Sequence, residues 1–221
     1  MRAFADLFHA LDASTSQLAK QAALRAYLRA AAPADAAWAV YFLAGGKPRQ
    51  LVPTRVLRGL PEWLFDESYE AVGDLAETIS LLLPPPAESD TRSLAEWLQT
   101  ELLPLRAAPP DVQQARLLAQ WQRLAPRERL PYFKLITGAF RVGVSRLQVT
   151  QALAAVAELD PKQIAQRLMG YTHVGAQPSA VSRPASPRVS SRIRAAMALP
   201  SINVAVIAPL LSSLPQTVRP Q

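Results

Sequence analysis

Apolar residues recur with a helical period along most of the chain. Phe4, Leu7, Phe8 and Leu11 stand at i, i+3, i+4 and i+7, which lays one apolar stripe along a first helix. Ser14 or Thr15 is placed to cap a second, with Leu18, Leu24, Tyr27 and Leu28 on its apolar side. Pro33-Ala34-Asp35 ends that helix and caps a third, which carries Trp38, Tyr41 and Phe42 and stops at Gly45-Gly46. A basic loop follows, Lys47-Pro48-Arg49 and then Pro53 to Arg58. Pro61 opens a long helix holding Trp63, Leu64, Tyr69, Val72, Leu75 and Ile79, which Pro84-Pro85-Pro86 stops. Another helix is expected from about Ser93 to Leu105, and Pro109-Pro110-Asp111 opens one with Leu117, Leu118 and Trp121.

The last three elements are the plainest. Pro126 starts a helix whose apolar side is Leu130, Phe133, Leu135 and Ile136. Ser145-Arg146-Leu147-Gln148 has the form of a capping box ahead of Val149, Leu153 and Val156. Asp160-Pro161 supplies an N-cap and a proline at the first helical position, opening a helix to Gly170. No segment alternates as strands do. Residues 1–173 therefore read as one all-α, compact multi-helix domain. Residues 174–221 differ in kind: seven prolines, eight serines and five arginines, with no Asp, Glu, Lys or aromatic residue. That composition predicts a poorly ordered tail.

Charge changes the picture in the second half. Residues 1–100 hold nine basic and twelve acidic residues, 101–173 ten and five, and 174–221 five and none. The net +7 thus lies where a polyanion would be met, or on a solvated basic face. With no cysteine, disulfides, thiolate metal sites and cysteine nucleophiles are excluded. His9 and His173 are the two histidines, far apart, and His9 is expected at the edge of the core. No signal peptide opens the chain, and no apolar run reaches the roughly 20 residues a bilayer span needs. The expectation is a soluble, cytoplasmic protein with no membrane partner.

Two motifs fall short of catalysis. Gly45-Gly46-Lys47 lacks the first glycine and the Ser/Thr of a phosphate loop, having Tyr41 and Pro48 there. Gly143-Val144-Ser145-Arg146-Leu147 lacks the second glycine of a nucleophile elbow, so Ser145 is better read as a cap. Asp66, Glu67, Glu70, Asp74 and Glu77 are expected on one solvated helix face. No catalytic residue and no metal ligand is assigned.

The informative stretch is Glu128 to Gly143. It sets two helices either side of Gly138-Ala139-Phe140-Arg141-Val142-Gly143. Two glycines permit positive φ and close backbone approach, Arg141 projects from the turn, and the next helix offers its N-terminus. Such a corner suits a phosphate. An ordinary glycine-rich helix–helix turn would have the same spacing.

The segment Leu135-Ile136-x-Gly138-x-x-Arg141-Val142-Gly143-Val144, with Val149 and Ala152-Leu153-Ala154 after it, resembles the N-terminal DNA-binding domain of ATP-dependent DNA ligases. Phe4-Ala5-x-Leu7-Phe8, Ser14-Thr15-Ser16, Lys20, Ala36 to Leu43, Lys47-Pro48-Arg49, Pro61 to Phe65 and Val72 to Thr78 resemble the opening of bacterial members. The resemblance implies a helical domain that wraps nicked duplex DNA across the minor groove and grips phosphates without reading sequence, in nick sealing for repair, recombination and replication. It implies Gly138, Arg141, Gly143 and Ser145 as phosphate-binding residues, with Lys47 and Arg49 of the basic loop. The position after the first glycine, often basic in the family, is Ala139, which implies one weaker or missing contact.

The family's catalysis uses ATP and magnesium at a Lys-x-Asp-Gly lysine. Lys20, Lys47, Lys134 and Lys162, the four lysines here, are not followed by that pattern. No cofactor is therefore expected in this chain, and no ligase activity from it alone. The expectation is a chain cut off before its catalytic domain, by a frameshift or premature end, or a subunit whose catalytic half is a separate chain. The alternative function is a non-catalytic helical scaffold for protein interaction.

Overall fold

The computed structural model describes residues 1–169 except 49, 61–64, 85, 87–89, 139 and 141. Eleven helices run through them: α1 (Arg2–Asp12), α2 (Gln17–Ala30), α3 (Pro33–Leu43), α4 (Thr54–Arg58), α5 (Phe65–Val72), α6 (Leu75–Leu82), α7 (94–105), α8 (Pro110–Trp121), α9 (Pro126–Thr137), α10 (Arg146–Ala157) and α11 (Pro161–Arg167). No strand occurs among the described residues. The fold is all-α, as the periodicity predicts. The expected tail, residues 174–221, lies outside the described residues.

α3 explains the arrangement. Every residue from Ala36 to Leu43 is buried, so the helix has no solvent face and must lie at the centre. α7 and α10 pack on it; α1 packs on α2 and α9, α2 on α10, and α9 on α6. α3 ends in a Schellman turn: Gly46 N–H donates to Tyr41 O at 2.8 Å and Gly45 N–H to Phe42 O at 3.0 Å, with Gly45 at φ 94°. This turn delivers Lys47 to the protein surface.

Several sequence expectations shift by a residue or an element. Ser16, not Ser14 or Thr15, caps α2: its hydroxyl accepts from Ala19 N–H, and Ser14 instead accepts from Ser16 N–H. That rotates Leu18 outward, 84% exposed. α3 starts at Pro33 behind Ala32, and Asp35 reaches across to accept from Ala95 N–H at 2.8 Å. The single long helix expected after Pro61 is two. Gly73 takes φ 74°, and Asp74 caps α6 by accepting from Glu77 N–H. Asp74 thereby leaves the acidic face and pairs with Lys134 at 2.6 Å. Burial alone would raise its carboxyl; the Lys134 ammonium and the Glu77 amide outweigh that and hold it below the usual range. α11 closes at Arg167 rather than Gly170.

Two prolines sit inside helices. Pro131 in α9 leaves the Arg127 carbonyl without its N–H partner. His9 Nε2 meets that oxygen at 2.8 Å, so the ring must donate there. In α7, a capping box at Ser93 and Glu96 opens the helix, a π-helical stretch spans Trp97–Leu102 ahead of Pro104, and Leu103 N–H reaches Leu98 O. Glu101 on this stretch gathers Arg92 at 2.6 Å, Arg123 at 3.0 Å and Gln120 at 2.9 Å, and Tyr132 donates to Gln120. Arg92 also lies 4.3 Å above Trp97. Burial works to raise the Glu101 carboxyl, yet its hydrogen bonds from Arg92 and Gln120 hold it low.

Candidate nucleic-acid interface

The segment between α9 and α10 is anchored from below. Gly138 ends α9 at φ 69°, in the left-handed region where a Cβ is disfavoured. Phe140 then turns inward, stacked on Phe4 at 5.4 Å, edge-on to Phe8 at 5.1 Å, and tilted against Phe42 at 6.2 Å. Val142 is buried beside it, and Gly143 takes φ 61°.

Lys20 holds the same segment from the side. Its ammonium is buried and donates to Val142 O at 2.8 Å and Gly143 O at 3.2 Å. The carbonyls are thus spent inward. The amides are not: Val142, Gly143 and Val144 N–H donate to no group among the described residues. Consecutive unspent amides around a left-handed residue form an anion-receptive concavity.

α10 begins at once. Ser145 Oγ accepts from Gln148 N–H at 3.2 Å, and Ser145 N–H donates to Gln148 Oε1 at 2.7 Å. The capping box read from the sequence is therefore formed. It commits the Ser145 amide internally and leaves its hydroxyl hydrogen, with the amides of Arg146 and Leu147, to face an acceptor. Gln148 Nε2 donates to Gln17 Oε1, and Gln21 donates to Gln148 O at 2.9 Å. These bonds seat the N-terminus of α2 next to that of α10, so two positive dipole ends lie together.

A recess of about 870 Å³ opens over this corner, lined among others by Gln17, Lys47, Val142, Gly143, Ser145 and Arg146. Lys47 is exposed and forms no ion pair with a described residue. Its Cδ lies 3.7 Å from where a Cβ on Gly138 would stand. The Arg146 guanidinium donates to Leu168 O at 2.6 Å, tying α11 to the same edge.

Of the residues singled out in the sequence, Lys47, Gly143 and Ser145 come together on this recess, and Gly138 lies against Lys47. Arg141 and Arg49 lie outside the described residues, as does Ala139. Sequence reasoning missed Phe140 as an anchor and Lys20 as a clamp. Their partners are far away along the chain, 122 and 123 residues for Lys20, and no local pattern marks them. The family described as DNA ligase N terminus matches residues 1–154. The chain belongs to that family. No curated relative matches it significantly. Membership in the DNA ligase N-terminal family gives the chain a ligase-related role with DNA as partner. No described helix is long and apolar enough to cross a membrane.

Proposed function

We propose that this chain binds duplex DNA, nicked duplex included, by its backbone phosphates and without reading base sequence. The observation that carries the reading is the pinned turn: Lys20 holds the carbonyls of Val142 and Gly143 inward, while the amides of Val142, Gly143 and Val144 donate to no described residue beside Lys47. Amide donors, a lysine and helix N-termini position a phosphate and carry no base information. Gly138, Arg141, Gly143, Ser145, Lys47 and Arg49 are assigned to this contact. The biological setting is nick sealing in repair, recombination and replication, at the nucleoid.

We infer further that the chain alone does not seal nicks. The family's ATP and magnesium do not fit the residues present: no lysine stands in a Lys-x-Asp-Gly pattern. Among the described residues no three His, Asp or Glu side chains group closely enough to hold a metal ion. Two experiments test the reading. Anisotropy of labelled nicked duplexes should show binding that weakens steeply with salt. Incubation with labelled ATP and magnesium should leave the protein unlabelled; a stable lysine–AMP adduct would refute inertness.

A further inference from the structure

We infer that Lys20 is the positioning residue of the phosphate corner and supplies it with positive charge from beneath, without touching DNA. The inference rests on the DNA-binding reading above and names a determinant of that site.

The argument starts from solvation. Lys20 is 6% exposed on the buried face of α2. Burying an ammonium is strongly unfavourable unless a carboxylate or a set of acceptors replaces water. Lys20 forms no ion pair with any described residue, and its two hydrogen bonds go to neutral carbonyls, Val142 O and Gly143 O. Among the described residues the chain thus keeps a positive charge without a counter-charge under a segment, Val142 to Val144, whose amides meet no acceptor. A phosphate over Gly143 would meet the unspent amides and also this charge, in a partly desolvated place where screening is weak.

Gly143 fits the same account. A Cβ there would stand 2.6 Å from Lys20 Nζ, and the residue sits at φ 61°. Any side chain would push the ammonium off its carbonyls.

The test uses the whole chain and a labelled nicked duplex, with affinity measured across a potassium chloride series and melting measured in parallel. Lys20→Met keeps length and removes charge. It should weaken binding roughly ten-fold at low salt and make the salt dependence shallower, and it should lower melting because the Val142 and Gly143 carbonyls lose their donor. Gly143→Ala should weaken binding by a similar factor with Lys20 still present. Lys134→Met breaks the Asp74 pair on α6, which takes no part in the recess. It should lower melting and leave affinity within two-fold.

Each outcome decides something. If Lys20→Met loses melting temperature and, while still folded, binds as tightly as the wild type with the same salt dependence, Lys20 is a structural tie and the inference falls alone. If the wild-type chain shows no salt-dependent binding, the DNA-binding reading falls and the inference with it.

Discussion

Replacing Phe140 by alanine tests whether the turn is held in shape by the core. The ring is half-buried and meets Phe4, Phe8 and Phe42 with centroids at 5.4, 5.1 and 6.2 Å. Truncating a fully buried phenylalanine costs about 3–5 kcal/mol. Half burial removes part of that, while each aromatic pair adds about 0.5–1.5 kcal/mol beyond area. The expected loss is about 2–3 kcal/mol, which for a domain of this size lowers melting by roughly 5–10 °C. Circular dichroism melting measures it. Anisotropy with a nicked duplex, taken well below the lowered melting point, should also show weaker binding, because the unspent amides then lose their fixed spacing. Unchanged melting would mean that Phe140 does not pack as described. Lower melting with unchanged affinity would mean that the anchor does not set the turn.

Acid should destabilise the fold through Asp74, Asp90 and Glu101. All three carboxyls are held below their ordinary values despite burial, so their contribution is present above the unfolded pKa of about 4 and is lost as pH falls through the lower folded values. Melting should drop between about pH 5 and pH 2, and Glu101→Gln should flatten that drop; a variant as acid-sensitive as the wild type would count against the Glu101 hub. Gly46→Ala would put a Cβ 2.5 Å from Tyr41 O and 2.6 Å from its ring. Overpacking of that kind costs about 1–3 kcal/mol, readable by urea denaturation, and no loss would show that the turn after α3 is free to shift.

What the sequence revealed was local. Ser145-x-x-Gln148 and Asp160-Pro161 cap helices because a side-chain oxygen three residues or fewer from an unspent amide needs no tertiary help. Gly45-Gly46 ends α3 by an equally local route, a backbone turn in which Gly45 takes positive φ without a side-chain clash. The break at Gly73 had a local signal that the sequence reading passed over: Gly73 at positive φ ends α5, Asp74-x-x-Glu77 caps α6, and the pair with Lys134, sixty residues on, adds to it. For the site, the glycines and the helix start could be read from spacing. The inward Phe140 and the Lys20 clamp depend on long-range packing that no periodicity encodes.

The central claim is phosphate-directed, sequence-indifferent binding at the corner between α9 and α10. Its most direct test is the affinity for two nicked duplexes of unrelated sequence, each measured over a salt series, for the wild type, Lys47→Ala and Arg141→Ala. The account predicts equal affinities for the two sequences, a steep fall with salt, and for each variant weaker binding to both duplexes with a salt slope smaller by about one contact. A marked preference for one sequence, an affinity indifferent to salt, or variants that bind as the wild type does would contradict it.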